Sequence, residues 1–360
     1  MSPLPPERPQ PPDDGPIIVK FVGRVQDTRQ LSRQLSLVRP PSQRVQFEFD
    51  PAATRYDWLA VYDNLPGKAG SRTLGHSEVL SCPQFNTILL TSEPTSIKIY
   101  GRAFCRQFGA VFSSQESWAI RSPGHIFAQS GLRWYYGLGR NRILTVDDMV
   151  AAPPLAKTRD VSIVCSTKAQ GHTLHRQRLA FSLDLVQQMP EIDHFGHGVR
   201  EMDDKAEALD VYRYHVAIEN HLAPHHWTEK LADAFLGCTL PFYCGAPDAA
   251  RYFPPESFIA IDLASPARVA DRIRAAIRDD EYSQRLPFIM EARRRVIEDY
   301  NMVTLIARHA EAHDSRPYPN GTGRIMSQRA ARISNPLYAA EDLALQARVQ
   351  MQNRVFGTWR

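Results

Sequence analysis

The polar residues best suited to chemistry lie in the second half of the chain, between an apolar run and a helical pattern. The apolar run at 216–218 predicts a buried strand, and Asn220 lies just beyond its carboxyl end. Thr228 is a favourable N-cap residue, and Glu229 and Lys230 fill the first turn of the helix that follows. In open α/β sheets, ligands bind where strand C-termini meet helix N-termini, whose free N–H groups attract phosphate. The segment therefore predicts a cradle for a nucleotide diphosphate, provided that its loop faces a cleft.

Alternating strand and helix patterns predict two α/β layers joined by a linker at 150–158. The first layer has strand patterns at 17–22, 45–49, 58–61, 87–90 and 110–113, and helix patterns at 28–38 and 96–108. The second has strand patterns at 161–165, 192–195, 216–218 and 239–243, a glycine-containing loop at 166–175, and helix patterns at 176–189, 267–278 and 281–296. We expect the last of these helices to break at Pro287, which cannot donate a backbone hydrogen bond.

Length and composition indicate a soluble globular protein of two domains. The chain has 360 residues, of which 43% are hydrophobic and 23% are charged, and no apolar run is long enough to span a membrane. A net charge of +4 is too mild to indicate nucleic acid binding, whereas anionic sugar nucleotides would suffice to explain it. The proline-rich residues 1–16 predict a disordered arm, and five cysteines without a CxxC pair predict free thiols.

A diphosphate can be held by a metal or by cations, and this sequence favours cations. It contains no Asp-x-Asp motif, through which some enzymes hold a divalent metal on a diphosphate. Lys230 and Arg178 each lie in the first turns of a predicted helix, and the planar fork of an arginine can bind two phosphate oxygens. Five histidines fall close together, but their spacing fits no zinc pattern: His194, His197, His221, His225 and His226. We therefore predict no metal site.

Two further groups of residues could take part in chemistry or bind a sugar. Glu93 follows the strand at 87–90 and could act as a general base, or alternatively as an acid at the start of the next helix. Trp118, Trp134 and Tyr135 could stack on sugar rings of an acceptor, but aromatics at this density equally indicate core packing.

The signature segment resembles the C-terminal motif of the α-1,3/4-fucosyltransferases, glycosyltransferase family 10. The resemblance covers about fifty residues. Its matching elements are Ile218-Glu219-Asn220, Thr228-Glu229-Lys230, Pro241, Gly245-Ala246-Pro247 and Pro255-Glu256-Ser257-Phe258-Ile259. Arg178, with Phe181 and Leu185, also fits a spacing of that family. One position departs from the family pattern, since His226 occupies the place of a usual tyrosine and leaves donor selectivity open.

The resemblance implies an α/β fold of the GT-B type, with two Rossmann-like domains facing across a cleft. It implies an N-terminal acceptor-binding domain at 17–152 and a C-terminal donor domain at 159–310. The implied reaction is inverting, metal-independent transfer of L-fucose from GDP-β-L-fucose to an oligosaccharide or glycolipid hydroxyl, in an α-1,3 linkage, without a cofactor. Alternatives are another donor such as GDP-mannose, or a non-catalytic glycan- or nucleotide-binding relative.

The resemblance also suggests roles for single residues. Glu93 would be the base, and Arg178 and Lys230 would neutralise the diphosphate. Asn220, Thr228 and His226 would contact the nucleotide, and Glu229 would bond ribose hydroxyls or stabilise positive charge on the sugar; these two roles for Glu229 stay open.

The last segment, 311–360, is a basic tail with helical character. From position 322 onward it contains six arginines and two acidic residues. Such a tail could bind a membrane surface or a partner subunit, or be a solvated helix packed on the catalytic core. The second interpretation is favoured because its apolar residues form no broad stripe.

Animal members of the resembled family carry an N-terminal anchor, whereas this sequence starts with a proline-rich stretch that has no apolar signal core. We therefore expect a bacterial, cytoplasmic protein. If the tail binds lipid, we expect it at the inner face of the membrane.

Overall fold

The protein folds into two parallel α/β sheets with helices packed against them. The computed structural model describes residues 15–25, 27–67, 76–167, 174–316, 321 and 323–355. The strands are β1 Ile17–Gly23, β2 Val45–Glu48, β3 Trp58–Tyr62, β4 Ser77–Val79, β5 Thr87–Leu90, β6 Ala110–Ser113, β7 His125–Phe127, β8 Arg159–Val164, β9 Asp193–Phe195, β10 Tyr212–Ile218, β11 Leu240–Cys244, β12 Ile259–Ala260 and β13 Arg324–Met326. The α-helices are α1 Arg29–Ser32, α2 Arg102–Cys105, α3 Ser117–Ile120, α4 Val146–Ala151, α5 His175–Gln188, α6 Glu229–Leu236, α7 Pro266–Arg278, α8 Glu281–Glu298, α9 Met302–Ala312, α10 Gln328–Ser334 and α11 Pro336–Val355.

The first sheet has six strands in the order β2-β1-β3-β5-β6-β7, and every pair is parallel. The second has five strands in the order β12-β11-β10-β8-β9, again all parallel. Central strands of both sheets are buried along their whole length, which explains why they appear in the sequence as continuous apolar runs. The architecture is GT-B, two Rossmann-like domains facing across a cleft, as predicted.

The chain returns to the first domain after α8. Met302, Ile306 and Ala310 of α9 belong to the same buried cluster as Ile17 and Val19 of β1. By its packing α9 is therefore part of the first domain, although the predicted second domain extends to residue 310. The predicted arm at 1–16 lies almost entirely outside the described residues.

The described part of the tail also packs on the first domain. Strand β13 pairs antiparallel with β4, and α10 contacts α2. This agrees with the favoured interpretation of a tail packed on the core. No helix within the described ranges is long and apolar enough to cross a membrane.

Most predicted strands are confirmed to within two or three residues, but some predicted helices are not. The helix expected at 96–108 is reduced to α2, because Gly101 adopts a φ of +82° and the chain before it turns to place Tyr100 on Asp63. The helix expected at 28–38 is limited to α1. The break expected at Pro287 is absent, since α8 continues through it. The glycine-containing loop predicted at 166–175 lies partly outside the described residues, which omit 168–173.

Candidate active site

Residues at the carboxyl ends of β1, β3 and β5 in the first sheet, and of β8, β9 and β10 in the second, line the cleft between the domains. Two neighbouring cavities lie there. The first, the Glu93 cavity, has a volume of about 180 Å³ and is lined by Glu93 and Tyr135 of the first domain and by Glu229 of the second. The second, the Arg178 cavity, has a volume of about 210 Å³ and is lined by Arg178, Lys230 and again Glu229. Glu229 thus connects a first-domain carboxylate to a cluster of second-domain cations.

A fully buried carboxylate organises the start of α6. Glu219 directly follows β10, and its Oε1 accepts a hydrogen bond from the Thr228 backbone N–H at 2.8 Å. The Thr228 hydroxyl donates to Glu219 Oε2 at 2.5 Å. Thr228 in turn caps the helix, since its Oγ1 accepts from the Lys230 N–H. The Glu-Asn and Thr-Glu-Lys parts of the signature are therefore joined through the interior of the domain.

This capping corrects one expectation about phosphate binding. The free N–H groups predicted at the helix start are partly occupied, because Thr228 and Lys230 already donate theirs to side chains within the cluster. Side-chain cations must therefore supply more of the attraction for a diphosphate than the helix terminus does.

Lys230 lies between two carboxylates. Its Nζ is 2.8 Å from Glu229 Oε1 and 3.5 Å from Glu219 Oε2. Burial raises the pKa of the Glu219 carboxyl, with Lys230 opposing the shift. Burial also acts to raise the pKa of Glu229, but Lys230 and Lys205 outweigh it and hold that pKa well below its usual range. Glu229 is therefore an ionised carboxylate at neutral pH.

Arg178 is placed differently from Lys230. It lies one turn into α5, donates to the Asn220 side-chain oxygen, and donates to the Val164 carbonyl at 3.1 Å. Among the described residues it forms no ion pair with a carboxylate, so its charge remains available to an anion. Arg178 and Asn220 were both predicted to bind donor, and the structure brings them into contact.

Three residues of the Arg178 cavity and its wall received no role in the sequence analysis. Lys205 pairs with the buried Asp233 at 2.7 Å, and Asp233 accepts from the backbone N–H of Tyr135 at 3.1 Å across the cleft. His215 points its Nδ1 at Ser162 Oγ, at 2.9 Å, and burial lowers its pKa to about 3. Asp233 could have been noticed as an acid within the apolar stretch of α6, but nothing in the sequence indicated Lys205.

Glu93 lies on a loop whose residues Lys98 and Tyr100 are held by the Asp63 carboxylate. Asp63 accepts from Lys98 Nζ and Tyr100 Oη, each at 2.6 Å. The same tyrosine oxygen accepts from the Glu93 backbone N–H at 3.2 Å. Burial raises the pKa of the Glu93 carboxyl, and the charges of Glu229 and Asp63 raise it further. A half-buried carboxylate with a raised pKa suits a general base.

The three aromatic residues predicted to bind an acceptor separate in the structure. Tyr135 lines the Glu93 cavity and is 39% exposed. Trp134 is 2% exposed and belongs to the core, so the acceptor role predicted for it is wrong and the packing alternative is correct. Trp118 lies under α11, with the Arg348 guanidinium 4.6 Å from its ring centre, and does not line the Glu93 cavity. The strand-like alternation of buried and exposed side chains at 132–136 places neighbouring rings on opposite sides.

Two histidines of the signature loop join the domains. His226 Nδ1 lies 2.8 Å from Ser114 Oγ, and His221 Nδ1 lies 3.1 Å from Ser96 Oγ. Burial lowers the pKa of both, that of His221 to about 4. His226 therefore contacts the first domain, and the nucleotide contact expected of it stays a prediction. Within the described ranges, no three His, Cys, Asp or Glu residues are placed to hold a metal ion.

A larger cavity, of about 490 Å³, lies away from these residues. It is bounded by the loop after α1, by α4 and by the start of α9, and much of its lining is aliphatic or proline. Its two carboxylates are already bonded, Asp147 to Ser36 and Glu298 to Arg294, so we assign the chemistry to the cleft.

Comparison with known proteins finds similarity to part of the second domain. Residues 155–287 match the family described as Glycosyltransferase family 10 (fucosyltransferase) C-term. A stretch of 58 residues is 36% identical to the Alpha-(1,3)-fucosyltransferase FucT of Helicobacter pylori. That stretch is 16% of this chain and only 12% of the relative's length.

Solved glycosyltransferase structures are similar to most of this chain at low identity. A crystal structure of alpha1,3-fucosyltransferase with GDP-fucose has 15% identity and a TM-score of 0.46, covering 89% of this chain and 96% of that one. The DNA-modifying enzyme beta-glucosyltransferase has 10% identity and a TM-score of 0.44, covering 82% and 99%. The family match places a glycosyltransferase domain in this chain, and the two-domain fold follows from the chain's own sheet topology.

Proposed function

We propose, on the premise that residues 155–287 form a family 10 glycosyltransferase domain, that this chain transfers L-fucose from GDP-β-L-fucose to a hydroxyl of an oligosaccharide or glycolipid. The observation that carries the proposal is the position of Glu229. It borders the cavity that contains Glu93 and the cavity that contains Arg178, so an acceptor base and a diphosphate-binding group can act on one bound donor.

The transfer is a single displacement. The Glu93 carboxylate takes the proton of the acceptor hydroxyl, whose oxygen forms a bond to the anomeric carbon of fucose. The bond between that carbon and the diphosphate oxygen breaks, and GDP leaves with the electron pair. Attack from the face opposite the diphosphate converts the β-linked donor into an α-fucoside, and the resembled family implies a 1,3 linkage.

The second domain stabilises the leaving group. Arg178 lacks a carboxylate partner among the described residues, and its fork can bind two diphosphate oxygens. Lys230 is shared between Glu219 and Glu229 and adds a second cation. The Glu229 carboxylate, ionised at neutral pH, can stabilise the positive charge that develops on the sugar ring. These groups support transfer without a metal or cofactor.

The remaining parts of the proposal concern the cell. We infer a bacterial, cytoplasmic enzyme that does not bind nucleic acid. In this proposal α11 packs on the first domain, and any contact with a membrane is made by the exposed arginines of the tail.

The test is an assay of GDP release from purified protein. GDP-fucose and GDP-mannose are supplied separately, with and without EDTA, together with β-galactoside and N-acetyllactosamine acceptors. The proposal expects acceptor-stimulated release from GDP-fucose that EDTA does not change, and an α-linked product by NMR. Release from GDP-mannose alone would assign a different donor to the same fold. An absence of turnover with every donor and acceptor, combined with retained GDP binding, would favour a non-catalytic relative.

A further inference from the structure

Two arginines of the Glu93 cavity are not used by the mechanism above. Arg24 directly follows the carboxyl end of β1 and is exposed, and Arg133 lies in the segment after β7 and is half-buried. Both belong to the first domain, on the side of the cleft where the acceptor would enter. Neither makes an ion pair with a carboxylate anywhere in the described part of the chain.

Among the described residues Arg178 also lacks a carboxylate partner, but it lies in the second domain. The lysines around the cleft differ from these arginines in having carboxylate partners. Their pairs are Lys98 with Asp63 at 2.6 Å, Lys205 with Asp233 at 2.7 Å and Lys230 with Glu229 at 2.8 Å. The carboxylates of the cleft other than Glu93 are therefore already neutralised or shared. The charges of Arg24 and Arg133 are left to face the cavity.

Arg133 is held in place by neutral groups. Its Nη1 donates to the Gln30 side-chain oxygen and its Nη2 donates to Tyr135 Oη at 2.8 Å. Its Cζ also lies 5.0 Å from the centre of the Tyr135 ring. These contacts use two of the five guanidinium N–H groups, and its buried Nε has no acceptor among the described residues. Such contacts fix the orientation of the guanidinium without neutralising it, as is suitable for binding an anion.

We propose that the acceptor is an acidic sugar, and that Arg133, assisted by Arg24, binds a carboxylate of the acceptor while Glu93 deprotonates a neighbouring hydroxyl. The planar guanidinium matches the two oxygens of a carboxylate, and the arginines offset the repulsion that Glu93 would exert on an anionic substrate. This inference rests on the proposed function and specifies the acceptor class for the same site.

The experiment compares matched acceptors that differ in one group, a β-glucoside-terminated and a β-glucuronide-terminated oligosaccharide of the same linkage. With GDP-fucose as donor, we expect kcat/KM for the acid to exceed that for the neutral sugar by about tenfold or more, the range of a charge-assisted hydrogen bond. The ratio should fall as salt is raised. Arg133→Met should bring the ratio close to one, and Arg133→Lys should leave an intermediate ratio.

Arg55 provides the matched control. It is an exposed arginine just before β3, at the opposite end of the same sheet, so Arg55→Met should keep the wild-type ratio. Arg24→Met is the second variant should Arg133→Met fail to fold, and it should lower the ratio in the same direction.

Three results would overturn the inference. The first is a wild-type ratio near one. The second is a ratio that Arg133→Met and Arg24→Met leave unchanged. The third is a loss of activity in Arg133→Met that appears only as a raised KM for GDP-fucose with both acceptors. The last result would assign Arg133 to the donor. Transfer to neutral sugars only would reject the acidic acceptor and keep the proposed function, whereas no GDP release with any acceptor would reject the proposed function itself.

Discussion

Replacing Lys230 with methionine should destabilise the protein strongly and in a pH-dependent way. The Lys230 ammonium lies 2.8 Å from Glu229 and 3.5 Å from Glu219, whose side chain is fully buried. At an effective dielectric constant of about 20, these separations correspond to attractions of about 6 and 5 kcal/mol before desolvation is counted. Removing one partner of a buried ion pair typically costs about 3–5 kcal/mol, and we expect that loss of unfolding free energy at pH 8.

The cost of Lys230→Met should decrease as the pH falls. Burial already raises the pKa of Glu219, and loss of the neighbouring ammonium must raise it further. A carboxyl whose pKa is higher in the folded than in the unfolded state binds its proton preferentially in the folded state, so acidification favours folding of the variant. The difference from wild type should therefore shrink by up to about 1.4 kcal/mol per pH unit as Glu219 becomes protonated.

The assay is urea unfolding followed by circular dichroism at pH 8 and pH 5. The matched control repeats the comparison without the Glu219 carboxyl. The cost of Lys230→Met is measured again between Glu219→Gln and Lys230→Met/Glu219→Gln, where it should depend less on pH. A loss below about 1 kcal/mol at pH 8, or a single variant whose cost is the same at both pH values, would refute the electrostatic account of this cluster.

Three more perturbations test other parts of the structure. Lys98→Met should move the acidic limb of the kcat/KM–pH profile to higher pH, because Lys98 lowers the pKa of Glu93 against the effect of burial; a shift to lower pH would contradict this. Gln328→Ala should lower kcat about tenfold with GDP affinity unchanged. Gln328 of the tail donates to the Tyr100 carbonyl, and the Tyr100 hydroxyl accepts from the Glu93 backbone N–H, so the variant should misplace Glu93. Equal losses of kcat and GDP affinity would indicate general destabilisation instead. Burial lowers the pKa of His215 to about 3 in the folded state, so the stability that it provides above pH 6.5 should be lost as the pH falls toward 3. In His215→Gln the urea midpoint should therefore change less between pH 7 and pH 4 than in wild type, and an unchanged pH dependence would count against this.

The strands and the α6 signature could be predicted because their causes are local. A buried parallel strand must be apolar along its length, and Thr228 must stand where α6 begins because it caps the helix. Glu93 and Glu229 each follow from such patterns, since residues just beyond strand ends and at helix starts face the same edge of a sheet.

What could not be predicted depends on contacts between distant residues. The pattern at 96–108 looks helical, but the hydrogen bonds that Lys98 and Tyr100 donate to Asp63 outweigh helix propensity. Trp134 and Tyr135 are neighbours in the sequence, and only the packing of the second domain decides which ring is buried.

The same limit applies to charges. Lys205 reaches the cleft through a pairing with Asp233, which no sequence spacing reveals. Residue types also do not show that Glu219 uses both oxygens to hold Thr228. These bonds stabilise the start of α6, and the nucleotide contact expected of Thr228 stays a prediction.

The central claim is that the second domain binds the donor and that Glu93 of the first domain acts as the base in the same cleft. The most direct measurement is a calorimetric titration of GDP into wild-type protein, Glu93→Gln and Arg178→Met. We expect wild type and Glu93→Gln to bind GDP with the same affinity, and Arg178→Met to bind at least about tenfold more weakly because a charge-assisted contact is lost. Wild-type affinity in Arg178→Met, or equal weakening in Glu93→Gln, would contradict the division of roles.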